Sequence, residues 1–200
     1  GRGVVFFSGQ GTGTGAGKAW GFLDYLGPGW GGRPNGDGVP GLSHPLVNAA
    51  NIPVEAIEQQ FPLRVTEYSL ATDSVGAGMH ASAASTVREY EVLSDNTTVN
   101  QELLRGVYLA PGVVGGLAGT AAFARVRRAG QARWEEVPCI GHFVLNAGDR
   151  LRCQLASGSG SGDPARRSRA AIERDLQSGR MTAAAVKSRY GYSAGEMERA

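Results

Sequence analysis

The stretch "LRVTEYSLATDSVGAGMHASAASTVREYEVL" (63–93) decides the fold class. Its two ends, LRVTEYSL (63–70) and TVREYEVL (86–93), mix β-branched and aromatic residues with charges, as half-exposed strands do. Between them Asp73-Ser74 precedes Val-Gly-Ala-Gly, which predicts an Asx-type turn, with a catalytic carboxylate as the alternative. Strands continue outward. VVFFS (4–8) is an apolar, β-rich run. AAFARVRR and ARWEEV form a hairpin that closes near Gly130. Residues 150–155 alternate cleanly, with Leu151, Cys153 and Leu155 on one face and Arg150, Arg152 and Gln154 on the other. Asn96-Thr97-Thr98 fits a glycosylation acceptor but reads as a turn, since the first residues lack a signal-peptide pattern.

The pattern changes at SGSGSG (157–162), a flexible or tightly turning spacer. Asp163-Pro164 then has the form of a helix start, an acceptor side chain followed by a preset φ. Ile172 and Leu176 lie one helical turn apart, and Gly179 closes that helix. Thr182 opens a second helix with Ala183, Val186 and Tyr190 on one face and Gly191 as its stop. Ser193 and Glu196 have capping-box spacing. The expected architecture is therefore mainly β: a body of short strands and long Gly-rich loops over 1–156, the spacer at 157–162, and a small helical hairpin in 163–200.

Composition narrows the function. Of 200 residues 42 % are hydrophobic, enough for a core, and the net charge is only +2, which argues against a general nucleic-acid binder. Residues 163–200 hold eight Lys and Arg against five Asp and Glu, an excess of +3 that suits a solvated helical face. Glycine numbers 31, with fifteen in the first 41 residues, about twice the usual frequency of roughly 7 %. Cys139 and Cys153 lack metal-type spacing and are expected as free thiols in a reducing compartment. No apolar run reaches the roughly 18 residues that a membrane span needs, so a cytoplasmic protein is expected.

GQGTGTGAGKAW (9–20) has the composition of a phosphate-binding loop but not its spacing. Counting back from Gly17-Lys18, the leading glycine position is Thr12, and the position of the metal-binding hydroxyl is Ala19. The dinucleotide fingerprint fails at Ala16 and at Lys18. His44, His80 and His142 form no metal-type pair, and no Gly-x-Ser-x-Gly elbow occurs. Residue chemistry alone declares neither a catalytic group nor a metal site.

Residues 48–93 carry more. Asn51-Ile52-Pro53-Val54-Glu55, Phe61-Pro62-Leu63-Arg64-Val65, Asp73-Ser74-Val75-Gly76-Ala77-Gly78 and Arg88-Glu89-Tyr90 follow one another in order. GSGDPARRSRAAIERDLQSGRMTAAAVKSRYGY (160–192) and PGWGGRPNGDGVPG (28–41) add a glycine-rich ending and an upstream glycine-tryptophan-glycine loop. Together these stretches resemble the C-terminal region of the hydantoinase B/oxoprolinase family, the B-type half of ATP-dependent hydantoinases, 5-oxoprolinases, and acetone and acetophenone carboxylases. The chain departs from the family where an Arg-Gly-Gly-x-Gly turn is replaced by Ala81-Ser82-Ala83-Ala84-Ser85.

The resemblance implies a subunit of a multi-chain, ATP-dependent amidohydrolase or ketone carboxylase. An actin-like A-type ATPase subunit would bind ATP with Mg, and a longer N-terminal B-type chain would carry any divalent metal. This chain itself is expected to bind no cofactor, nucleic acid or membrane. It would contribute pocket wall for a small-molecule substrate, with His44, Asn48, Asn51, Arg64 and Asp73 as the candidate residues. The alternative is a non-catalytic subunit that stabilises such an assembly. Alanine at Asp73 or His44 separates the two, abolishing turnover only under the first.

Overall fold

A computed structural model describes residues 2–11, 17–43 and 49–193. Among the described residues nine strands form two antiparallel sheets. The first has the order β2(Ala19–Leu26), β1(Gly3–Gln10), β5(Thr97–Leu103), β8(Ile140–Leu145). The second runs β3(Leu63–Leu70), β4(Thr86–Val92), β9(Arg150–Gln154), β6(Phe123–Arg127), β7(Glu135–Val137). Period-two alternation turns Val5, Phe7, Val99 and Leu103 of the first sheet and Tyr90, Val92, Leu151 and Cys153 of the second into one shared core. The Phe7 and Tyr90 rings meet edge-on across it, 4.9 Å between centroids. Complete burial of a side chain such as Phe7 contributes about 1.5–3 kcal/mol.

The anticipated strands at 4–8, 63–70, 86–93 and 150–155 are present, and so is the β6–β7 hairpin. Strands β2, β5 and β8, and the helix α1(Val54–Gln60) that packs against β3, were not anticipated. Asn96 takes a left-handed turn conformation, φ 54°, but Thr97 and Thr98 already belong to β5. The phosphate-loop look-alike connects a hairpin: Gln10 pairs with Ala19, and Gly11 N donates to Lys18 O at 2.7 Å. Cys139 and Cys153 are free thiols.

The Gly/Ser stretch at 157–162 differs from its expectation as a flexible or tightly turning spacer. Ser157 and Ser161 are buried, and the stretch lies among the segments around residues 30–38, 76–83 and 113–120. Gly32 N donates to Ser159 O, His80 N to Ser161 O, and Gly160 N to Leu117 O. Backbones touch directly here, so side chains are excluded. A Cβ on Gly76 would lie 2.7 Å from Gly158 O and Gly160 N, and one on Gly160 would overlap the Ala77 carbonyl. Alternating Gly and Ser thus supplies close packing, with serine hydroxyls serving buried polar groups: Ser157 Oγ accepts from Thr120 N at 2.8 Å.

The helical segment follows its sequence signals except at its start, where Asp163-Pro164 opens only a 3-10 turn and the Ile172/Leu176 helix begins at Ser168. Asp163 caps a 3-10 turn (Pro164–Arg166), Ser168 caps α2(Arg169–Gln177), and Thr182 caps α3(Ala183–Tyr190), which ends on left-handed Gly191. Ile172, Met181 and Val186 bury against Val75 and Ala84. The buried Arg167 joins three regions, donating to both Asp37 oxygens at 2.8 Å and to Asp175 at 2.7 Å. Burial raises the Asp37 carboxyl, but the bonds and charge of Arg167 outweigh it and hold the group below the ordinary range. The Ser193–Glu196 cap falls outside the described residues. No helix among the described residues is long and apolar enough to cross a membrane.

Candidate functional site

Alternation along β2 sends Phe22, Asp24 and Leu26 inward, so an aspartate enters the core between two hydrophobic residues. The same rule on β4 sends Arg88, Tyr90 and Val92 inward to meet it. Arg88 Nη1 donates to Asp24 Oδ2 at 2.8 Å, and Tyr90 Oη donates to the same oxygen at 2.7 Å. Arg88 Nη2 donates to Asn51 Oδ1 at 2.5 Å, and the Tyr68 ring covers the guanidinium 3.9 Å from its centroid. Asp24 Oδ1 and Arg88 Nε are buried without a hydrogen-bond partner among the described residues. Desolvation lifts the Asp24 carboxyl above the usual range despite Arg88 and Tyr90. Burial together with the charge of Asp24 also raises the Tyr90 phenol.

Desolvating an ion pair costs several kcal/mol per ion. Its place in a core that aliphatic residues could fill marks this cluster as a functional candidate. It reaches the surface through Asn51 and Tyr68. There a cleft of about 210 Å³ is bounded by Gly41, Tyr68, Ser69, Leu70 and Thr86. A smaller recess beside it shares Gly41 and Tyr68 and adds Tyr25, Ser43, Ala49 and Asn51. Ser43 Oγ donates to Tyr25 Oη at 3.3 Å, and Thr86 Oγ1 to Gly27 O at 2.7 Å, which fixes the polar rim. An arginine has only donors to offer, so it sets the Asn51 amide orientation, oxygen inward and NH2 free to donate.

Of the sequence candidates, Asn51 joins this cluster. His44 and Asn48 lie outside the described residues, in a segment whose flanking residues Ser43 and Ala49 both line the recess. Arg64 is elsewhere, on the outward face of the second sheet, 3.8 Å from Glu91. Asp73, in a left-handed conformation with φ 60°, binds the start of α3 and accepts from Thr182 N and Oγ1 at 2.7 and 2.8 Å. Asp24, Arg88 and Tyr90 were not anticipated as site residues. Arg88 and Tyr90 stand in the Arg-Glu-Tyr motif that carries the family resemblance, whereas Asp24 has only its spacing of two from Phe22 and Leu26 as a signal. No group of three His, Cys, Asp or Glu that could hold a metal ion occurs among the described residues. Asp24, already paired with Arg88 and Tyr90, does not fit that role.

A sequence model of one family, described as Hydantoinase B/oxoprolinase, matches residues 3–164. An uncharacterized protein of Methanocaldococcus jannaschii is 31 % identical over 177 residues, which cover 87 % of this chain and 30 % of the relative. The crystal structure of the ATP-dependent caprolactamase from Pseudomonas jessenii superposes with a TM-score of 0.78 at 22 % identity, covering 94 % of this chain and 34 % of that one. Nucleotide-free acetone carboxylase, solved in work on ATP-dependent acetone carboxylation, gives a TM-score of 0.71 at 14 % identity, covering 94 % of this chain and 29 % of its own. At these identities the two structures share the fold. The chain spans about a third of the length of these relatives.

Proposed function

This chain belongs to the hydantoinase B/oxoprolinase family, and on that premise we propose that it acts as the C-terminal part of the B-type half of an ATP-dependent enzyme that opens a cyclic amide or carboxylates a ketone. The family match over residues 3–164 carries the reading. The fold it shares with an ATP-dependent caprolactamase and with acetone carboxylase supports it. ATP with Mg belongs on an actin-like partner chain, where an amide or enolate oxygen becomes a phosphate ester and hence a good leaving group. A longer B-type polypeptide carries any divalent metal.

In this scheme the chain supplies part of the wall around the small-molecule substrate. Arg88, held by Asp24 and Tyr90, fixes Asn51 so that its NH2 group donates to a carbonyl or phosphoryl oxygen at the recess beside the cleft. His44 and Asn48 remain candidates for that wall from the sequence alone. Asp73 serves it at a distance by anchoring α3, while Arg64, on the outward sheet face, has no part in it. The test is ATP hydrolysis coupled to opening of hydantoin, 5-oxoproline or caprolactam, or to carboxylation of acetone, by the assembly purified from the native source. Coupled turnover of one substrate that requires this chain is expected. Full turnover by the assembly after removal of the chain contradicts the proposal.

A further inference from the structure

The two outward faces of the sandwich differ in chemistry. On the second sheet Glu67, Glu89, Glu91, Arg150 and Arg152 form a ladder of ion pairs, a face suited to water. On the first sheet the outward positions of β1, β2 and β8 are largely apolar. Phe6 pairs with Leu23 and Val4 with Tyr25, while the edge strand β8 presents Ile140 and Val144. Thr98, Asn100 and Glu102 of β5 interrupt them with polar residues, as do Ser8 of β1 and His142 of β8.

The apolar character continues past the end of β5. Val107, Tyr108 and Val114 are 81, 84 and 82 % exposed, and Ile140 is 64 % exposed. Leu103, Leu104, Val107, Tyr108, Cys139 and Ile140 border an open hollow of about 620 Å³. Ile140 belongs both to this hollow and to the edge strand β8, so the hollow and the β8 edge of the first sheet are one surface. A monomer rarely leaves a continuous apolar patch beyond a few hundred Å² in water.

We infer that this surface is the seat of the B-type polypeptide that makes up the other two-thirds of the longer relatives, whether on the same chain or a separate one. The inference rests on the family reading above. Two observations select this occupant. The relatives are about three times the length of the matched part, so this part must meet a larger body of the same half. The surface also has the apolar character of an obligate interface or a domain core cut in two. A partner that docks and leaves would meet a more polar, charge-rimmed face.

The test places p-benzoylphenylalanine at Val107 or Tyr108, and at Glu136 on the opposite sheet as a control. The assembly is then irradiated in the source cells and the cross-linked peptides are identified. The expected result is cross-linking from 107 and 108 to peptides of the hydantoinase B-type polypeptide outside this chain's matched region, and its loss at 136. Cross-links to a second copy of this chain or to the ATPase chain, or a yield no higher than at 136, overturn the inference. Composition of the assembly before irradiation separates the two levels: if no further B-type polypeptide is present, the family reading itself fails.

Discussion

Arg88 Nη1 and Asp24 Oδ2 stand 2.8 Å apart inside a hydrophobic core, both side chains 1 % exposed. Removing one partner strands the other. Asp24→Ala or Arg88→Met should each cost about 3–5 kcal/mol, whereas Asp24→Leu combined with Arg88→Met should recover much of that loss, because a packed apolar pair replaces a desolvated ionic one. Urea unfolding of the three variants checks this. Additive losses in the double variant would show that the pair is not the unit of stability.

Asn51 separates structure from function. Asn51→Asp keeps the oxygen that accepts from Arg88 but removes both N–H donors at the recess. Folding stability should stay within about 1 kcal/mol, since the charge-assisted bond survives. Turnover of the assembly should fall about 10²-fold, the usual effect of losing one preorganised donor. Equal turnover in the variant would remove Asn51 from the substrate wall.

The clamp between Asp37 and Arg167 sets an acid dependence. The folded Asp37 carboxyl titrates below its ordinary value of 3.8. Its stabilisation is therefore complete above the unfolded value and is lost as pH falls through the folded one. Against Asp37→Asn, wild type should hold a constant stability advantage from neutral pH down to the ordinary carboxylate range, then lose it on further acidification. Parallel acid-unfolding curves would contradict the clamp.

Backbone contact in the glycine layer is tested by contrast. Gly160→Ala places a Cβ against the Ala77 carbonyl, while Gly141→Ala meets nothing closer than Pro138 Cβ at 3.6 Å. The first should lose about 1–3 kcal/mol or more through overpacking, and the second should stay within about 0.5 kcal/mol. Thermal melts of the pair decide.

Local signals explain what was legible. Leu151-Cys153-Leu155 alternation and Gly191 as a left-handed stop act within a few residues, and the structure reproduces both; Asp163-Pro164 opens only a 3-10 turn, and the helix it was expected to start begins at Ser168. The strands that were missed lack such signals. β2 begins in AWGF and β5 in TTVNQ, where glycine and polar residues mask a pairing set by β1 between them. Composition misdescribed residues 157–162, because a Gly/Ser run is equally suited to a linker and to backbone-on-backbone packing. The site was half visible. Asn51 and Arg88 stood out by motif but not as a pair with Asp24, which meets Arg88 only because two sheets fold face to face, 64 residues apart in sequence.

The central claim is that this chain works as part of a B-type half. Native mass spectrometry of the assembly recovered with it from its source tests that most directly. The expected result is a complex that holds an actin-like ATPase chain together with the remaining B-type polypeptide. Recovery as a folded monomer with neither would contradict it.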